Sequence, residues 1–495
     1  MRPRFLAADH VFCTGSGRRW PLPEPRCREI KESALTYPFS SPDSPAQAFA
    51  YRSAVPGIVW PAIPDYTGVL SLALQFQFNA SQWWSPAALR EHQFAQIALL
   101  VEHASRTSPF WRAHLARAGY RAGMGVTPQW FAALPVVLRA QVQSAGEALF
   151  SSAVPPEHGA VHSKNTSGST ATPLECRSTD VSALFWGAST LRDTLWHRRD
   201  LCAKLAGIRV GHKRGSHASW SPESYIAFQT GPAVSLDART ELDAQIDWLV
   251  AERPDYLLSH ASNLRALAQR FLERGLRLDS LREVKSFSET LPADLRDLAR
   301  EAWGVKLVDI YTTNEVGYIA LQCPDHEHYH VQAENVLVEV VDESGAACAP
   351  GAIGRVIITP LNNFAMPLLR YDIGDYAEAG APCPCGRGLP VLTRIMGRSR
   401  NMLRLPGGGM HWPGVPMRAL REIAPLRQFR MIQHSLTGIE LQMVSDRPLT
   451  ADEETALRHA LHKRLGYPFE VRFARLERIE RGANYKFEDF VCQVT

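Results

Sequence analysis

The sequence predicts a layered α/β protein, with a large part built on alternating strands and helices followed by a small α+β part at the C-terminal end. Two observations carry this. Between residues 180 and 303, helical patterns alternate with short apolar runs such as Tyr256-Leu257-Leu258, as expected for strand–helix units stacked on a sheet. After Arg398 the pattern restarts with about a hundred residues left, which suits a small separate unit. The length of 495 residues also exceeds what one core usually serves.

The elements follow in order. The first sixty or so residues are rich in Pro and Arg and weakly periodic, and read as an arm or irregular covering layer. A helix begins at Ser85, which can cap it, with Pro86 in its first turn and Phe94, Ile97 and Val101 on one face. Residues 264–272 and Leu295–Trp303 read as helices, the second ended by Gly304. Residues 305–311 alternate as a strand, and Val336–Val341 and 355–360 read as further strands. The expected organisation is a covering segment over 1–84, a large domain over 85–397 and a small domain over 398–495.

Composition excludes several classes. Hydrophobic content of 45% and charged content of 21% are ordinary for a globular protein. A net charge of +4, from 54 basic and 50 acidic residues, gives no argument for nucleic acid. No apolar run reaches the ~18 residues of a membrane span, and the first residues lack the apolar core of a signal peptide. Nine scattered cysteines argue against a secreted disulfide framework. A cytoplasmic location, with no nucleic-acid or membrane partner, is the expectation.

Four motifs carry chemistry. Residues 163–173, SKNTSGSTATP, combine a glycine with the hydroxyls of Thr166, Ser167, Ser169 and Thr170. Such a loop turns backbone N–H groups toward one anion, with Gly168 permitting close approach. It is not a Walker loop, because no Gly-Lys-Ser/Thr follows. Tyr311-Thr312-Thr313-Asn314-Glu315 follows a predicted strand, where open α/β sheets bind ligands, and Glu315 can hold Mg²⁺ there. In Arg370-Tyr371-Asp372-Ile373-Gly374-Asp375, the last carboxylate can accept from two ribose hydroxyls. Gly397-Arg398 is followed near the end by residues 479–486, IERGANYK, whose Lys486 can meet developing negative charge. Taken singly, Glu315 reads as a solvated carboxylate, Asp375 as a turn residue and Lys486 as a surface lysine. Their order and spacing together separate them from that background.

On these motifs the chain resembles the adenylate-forming (ANL) superfamily, in its phenylacetate–CoA ligase-like branch. That family's phosphate loop is similar to residues 166–173, its tyrosine-to-glutamate motif to Tyr311 and Glu315, and its Arg-Tyr-x-x-Gly-Asp motif to Arg370, Tyr371, Gly374 and Asp375. Its terminal lysine motif aligns with residues 479–486 without a gap, and Pro109-Phe110-Trp111 and Leu134-Pro135 look like two landmarks of the branch. The resemblance covers roughly residues 85–490. It implies a large layered N-terminal domain of the adenylate-forming type and a small mobile α+β lid. It also implies ATP-dependent activation of a carboxylic acid, aromatic or medium-sized, to an acyl-adenylate, then transfer to a thiol such as coenzyme A. Thr166, Ser167, Gly168, Ser169 and Thr170 would hold phosphates. Tyr311 and Thr312 would flank adenine, Asp375 the ribose, and Glu315 the magnesium. Lys486 would bridge carboxylate and α-phosphate, and the lid would turn about a hinge near Arg398, carrying the Pro406-Gly407-Gly408-Gly409 loop toward the thiol tunnel. A homodimer is one assembly the resemblance allows.

A cysteine and histidine group accompanies these motifs. Two thiolates spaced C-x-C, with a Cys and a His from another segment, satisfy tetrahedral zinc. Cys383-Pro384-Cys385 and the run Cys323-Pro-Asp-His326-Glu-His328-Tyr-His330 supply them. Family members carry a Cys, a His seven positions later, then the C-x-C, which points to Cys323, His330, Cys383 and Cys385 as a structural zinc site. His326 is the rival fourth ligand.

The chain departs from the family pattern at Ala171, Arg400, Glu480 and Tyr485. These departures bear on the thiolation step more than on adenylation. They keep open an acyl-carrier-protein phosphopantetheine or an amine as acceptor, and a non-catalytic nucleotide- or acyl-binding relative as a different class. Phe185, Trp186 and the stretch 256–263 read either as acid pocket or as core, and His260 as a buried histidine.

Overall fold

The computed structural model describes residues 53–58, 60–165, 174–220, 227–398, 401–414, 417–480 and 487–494. Its centre is a 13-stranded sheet in two halves. In the first half, Ala233–Asp237, Leu205–Arg209, Tyr256–His260, Glu283–Phe287 and Lys306–Thr313 lie side by side in that order, all parallel. Parallel neighbours need crossovers. Helices Leu242–Glu252, Ala261–Glu273 and Leu295–Trp303 provide three of them. Their apolar faces, such as Leu264, Leu267, Ala268 and Phe271 at helical spacing, pack with Ile208, Leu257, Val284 and Leu307 of the strands. Helix Leu295–Trp303 stops where Gly304 takes a left-handed φ of 72°, and the chain enters strand Lys306–Thr313.

That strand is where the sheet changes character. The chain reverses after Thr313, and Gly317–Gln322 returns antiparallel to it. Gly317 has φ +89°, which favours glycine, and Trp186 already lies 3.4 Å from where a Cβ would sit. Beyond it come Tyr329–Val331, Val391–Arg398, Tyr371–Ala379, Ile353–Pro360 and Val336–Val341, in that spatial order and all antiparallel.

Helix Pro86–Thr107 begins at Ser85, whose hydroxyl accepts from the Ala88 amide at 3.2 Å. It buries Ile97, Leu100, Val101 and Ala104 in the core that also holds Trp111 and Tyr371. The expected covering segment 1–84 contains a helix, Tyr66–Ser81, capped by Asp65. Its pattern is masked because the exposed side carries Tyr66, Val69 and Phe76, at 78%, 47% and 70% exposure, so polarity does not mark the buried side. Helix Asp180–Trp196, which carries Phe185 and Trp186, packs against it.

The C-terminal part has its own four-stranded sheet, ordered Glu470–Arg475, Gly438–Ser445, Leu426–Gln433, Phe490–Cys492. Helix Ala451–Leu465 covers it, opened by a reciprocal cap between Thr450 and Glu453 and closed by Gly466. Phe429, Leu441, Leu457, Leu461 and Leu465 form its core. Among the described residues no helix is long and apolar enough to cross a membrane. Replacing the fully buried Leu461 by Ala is expected to destabilise this part by about 2–5 kcal/mol, read by chemical denaturation.

Candidate active site

The carboxyl ends of the parallel strands open into a cleft of about 2570 Å³ that also reaches the C-terminal sheet. Its walls include Arg139, Tyr311, Glu315, Asp375, Arg398 and Phe487. This is the crevice position at which open α/β sheets bind ligands.

Glu315 sits in the tight turn between strands Lys306–Thr313 and Gly317–Gln322 and is 9% exposed. Arg139, in the first turn of helix Arg139–Ala145, reaches it at 2.9 Å. Sequence reasoning missed Arg139. Only its place four residues after the Leu134-Pro135 landmark singles it out.

Tyr311 donates from its hydroxyl to Asp375 Oδ2 at 2.7 Å, and Arg398 Nε meets the other Asp375 oxygen at 2.9 Å. Arg398 also donates to the Ile373 carbonyl at 2.6 Å. Burial, then the Asp375 charge, holds the Tyr311 phenol well above its ordinary value, so it remains a donor. Burial opposes the charge on Arg398, but Asp375, Tyr311 and Glu315 outweigh it and the guanidinium is held above its usual value. Preceding Arg398, Gly397 has φ +88°, and a Cβ there would lie 2.5 Å from Thr290 Oγ1, so a side chain is excluded on two counts. Thr312 lines the cleft beside this group.

Other residues of the motifs are structural. Arg370, with φ +46°, is 4% exposed. Its guanidinium donates to the carbonyls of Ala132 and of Leu134, the latter at 2.6 Å, and pairs with Glu339 at 3.1 Å. Trp111 is fully buried and donates to the Pro367 carbonyl at 2.7 Å. Both N-terminal landmarks thus anchor the segment that leads into strand Tyr371–Ala379. His260 is buried against Phe287 at 4.6 Å between rings, whereas Trp186 lines the cleft.

Thr166, Ser167, Gly168, Ser169, Thr170 and Ala171 lie outside the described residues, as do Arg400, Tyr485 and Lys486. The first group joins the paired strands Val161–Asn165 and Glu175–Thr179, whose Lys164 and Ser178 line the cleft. Ile479 and Phe487, on either side of the stretch 481–486, line it as well.

At the far end of the same strands lies the cysteine and histidine cluster. Cys323 follows strand Gly317–Gln322, His330 lies in Tyr329–Val331, and Cys383 and Cys385 lie between strands Tyr371–Ala379 and Val391–Arg398. Two ligands of a tetrahedral zinc are separated by about 3.8 Å when both are sulfur and about 3.5 Å when one is imidazole nitrogen, given the usual bond lengths. Cys323 and Cys383 sulfurs are 3.9 Å apart, and Cys385 Sγ is 3.5 Å from His330 Nε2. Burial, with the nearby Arg387 charge, pushes His330 down to about 3, so it is a neutral imidazole. His328, which sequence reasoning passed over, joins Cys323, His330 and Cys383 in one group of ligand atoms within 4.8 Å of one another, whereas Cys385 groups with Cys323 and Asp325. His328 Nε2 is 2.9 Å from Cys383 Sγ, too short for two ligands of one tetrahedral ion and suited to a hydrogen bond onto that sulfur. His326, the expected rival, is half-buried and stacks on His328 at 5.1 Å between rings. It is not in the cluster.

Replacing Arg139 by Ala is expected to cost about 1–3 kcal/mol of stability, because it strips a buried carboxylate of its charged partner. The double variant Arg139→Ala with Glu315→Gln should lose less than the two single losses summed, as read from denaturation midpoints.

No protein-family model matches the chain. The phenylacetate-coenzyme A ligase of Thermus thermophilus is 29% identical over 231 residues, which is 42% of this chain and 51% of that enzyme. The match therefore spans about half the length of this relative. The phenylacetate-coenzyme A ligase of Pseudomonas putida is 22% identical over 328 residues, covering 65% of this chain and 73% of that enzyme. Among solved structures, a 2-hydroxyisobutyryl-CoA ligase in the postadenylation state, in complex with 2-HIB-AMP, matches with TM-score 0.67 at 18% identity, over 83% of this chain and 91% of that one. The same ligase in the thioesterification state, in complex with 2-HIB-AMP and CoA, matches with TM-score 0.55 at 18% identity, over 84% and 91%. In its motifs and its fold, the chain is similar to these relatives of the adenylate-forming type, the phenylacetate-coenzyme A ligases among them.

Proposed function

We propose that this protein is an AMP-forming ligase that activates a carboxylic acid with ATP and transfers the acyl group to the thiol of coenzyme A. The observation that carries the reading is the convergence of Tyr311, Asp375, Arg398 and Glu315 on one cleft, from strands far apart in the sequence. The relatives' activity supports it, and so does the postadenylation complex.

In this reading a carboxylate oxygen attacks the α-phosphorus of ATP. The bond from that phosphorus to the β-bridging oxygen breaks, and pyrophosphate leaves. The thiol then loses its proton and attacks the acyl carbon, and AMP departs with the oxygen that links it. Such chemistry asks the protein for position and charge more than for covalent help. Asp375 has about four acceptor sites, so it still receives ribose hydroxyls after Tyr311 and Arg398 are counted. Tyr311 and Thr312 flank adenine. Thr166, Ser167, Gly168, Ser169 and Thr170 cradle phosphates, and Lys486 meets the carboxylate and the α-phosphate. Glu315 would hold magnesium, whose charge offsets that of the triphosphate. Residues 398–495 act as a lid hinged near Arg398. The better match to the postadenylation state supports reading the present arrangement as the one for the first half-reaction. An aromatic or medium-sized acid fits the branch, with Trp186 on the cleft wall.

Carboxylate-dependent exchange of labelled pyrophosphate into ATP tests the reading across a panel of aryl and aliphatic acids. Lys486→Ala and Asp375→Asn should each lower exchange by ~10²–10³, with Lys486→Ala keeping nucleotide binding. Undiminished exchange in Lys486→Ala would count against the assignment.

We read Cys323, His330, Cys383 and Cys385 as the ligands of a structural zinc, supported by the Cys323–Cys383 and Cys385–His330 distances, with four protein ligands and no open position. Metal analysis should find about one zinc per chain, lost in Cys383→Ser and Cys385→Ser and kept in His326→Ala. His328→Ala should keep zinc with ~10–100-fold weaker affinity, as a partner of a ligand rather than a ligand.

A further inference from the structure

We propose that Arg265 and Glu289 form a latch that grips the chain just after Lys486 and favours the arrangement for acid adenylation over that for thiol attack. This rests on the ligase reading above. Arg265 lies in the first turns of helix Ala261–Glu273 and is 7% exposed. One arm of its guanidinium donates to Asp489 Oδ2 at 2.8 Å, and the other to Asp294 Oδ2 at 3.1 Å. Glu289 Oε1 accepts from the Phe487 amide at 3.2 Å, and the same carboxylate accepts from the amide and hydroxyl of Ser262 at 2.7 and 3.1 Å. At the other end of this helix, Glu273 pairs with Arg421 at 2.5 Å. One helix, held to the large sheet by Leu264, Leu267 and Phe271, therefore meets the C-terminal part at both ends.

The consequence for Lys486 follows from chain connectivity. It is the residue before Phe487 and three before Asp489. Its Cα is thus within one peptide link of a residue whose amide is held, and within about 11 Å of the Asp489 Cα. Asp489 passes the constraint into the C-terminal sheet, because its carbonyl accepts from the Met431 amide at 2.8 Å. Phe487, the other gripped residue, lines the cleft.

The latch is built to release. When the C-terminal part turns away, Arg265 keeps Asp294 and Glu289 keeps Ser262, so neither is left as a buried charge without a partner. The penalty that normally makes breaking a buried ion pair costly is avoided. Arg265 is thus a positioning residue, acting through the segment that carries Lys486.

Two half-reactions separate this from a structural role. In Arg265→Gln and in Asp489→Asn, acid-dependent pyrophosphate exchange should fall about tenfold. Thioester formation from synthetic acyl-adenylate and coenzyme A should stay within about twofold. The double variant should be no worse than the worse single one, since both remove one interaction. Equal losses in both half-reactions, or no loss in either, would overturn the proposal. A measurement independent of turnover is hydrogen exchange of the amides over 487–492 in the substrate-free protein. Arg265→Gln should exchange them about tenfold faster or more, and unchanged protection there overturns the latch. Absence of pyrophosphate exchange in the unaltered protein, with faster amide exchange in the variant, would sink the ligase reading and leave the latch standing.

Discussion

The hydrogen bond from Tyr311 to Asp375 is the contact on which the site depends. The two residues lie on strands that are not neighbours. Three others, Gly317–Gln322, Tyr329–Val331 and Val391–Arg398, separate them in the sheet. A 2.7 Å contact across that interval requires the antiparallel half to curl until its strand ends meet. The curl brings Arg398 onto Asp375 and sets the mouth of the cleft opposite the parallel strands. Because the phenol is buried, it stays protonated and keeps donating. Removing Asp375 leaves the buried phenol without its acceptor, which costs more than the bond contributes.

The same strands are gathered at their other end by the cysteine and histidine cluster. Cys323 ends the strand that starts beside Glu315, and Cys383 and Cys385 lie in the connection between the strands carrying Asp375 and Arg398. The curled half is thus tied at the cleft by a hydrogen-bonded ion pair. Zinc bound as proposed would tie it at the thiols and imidazole as well. Gly397 and Arg398 then sit at the edge of a stiff body, the right place for a pivot, with the positive φ of Gly397 and the nearness of Thr290 both demanding glycine there.

Much of this was legible in the sequence. Strand Lys306–Thr313 and the helix before it announced themselves by alternation, helical spacing and the stop at Gly304. Ser85 and Pro86 marked a helix start that the structure places there. What stayed hidden has a physical cause in each case. Helix Tyr66–Ser81 shows apolar residues to solvent, so periodicity could not separate its faces. Arg139 and Glu315 are 176 residues apart, and no local pattern encodes a contact of that range. His326, His328 and His330 alternate along the chain with the same chemistry. Only their distances to sulfur distinguish a ligand from a hydrogen-bond partner and from a ring outside the cluster. Arg265 and Glu289 read as ordinary helix and loop charges until the partners at Asp489 and Phe487 are seen.

The account stands on a carboxylate oxygen attacking the α-phosphorus. Its most direct test is to supply an accepted acid with both carboxyl oxygens labelled with oxygen-18, together with ATP and coenzyme A, and to weigh the nucleotide product. The account predicts AMP carrying one labelled oxygen, left behind when the thiol takes the acyl carbon. Unlabelled AMP, or ADP with label in free phosphate, would contradict it.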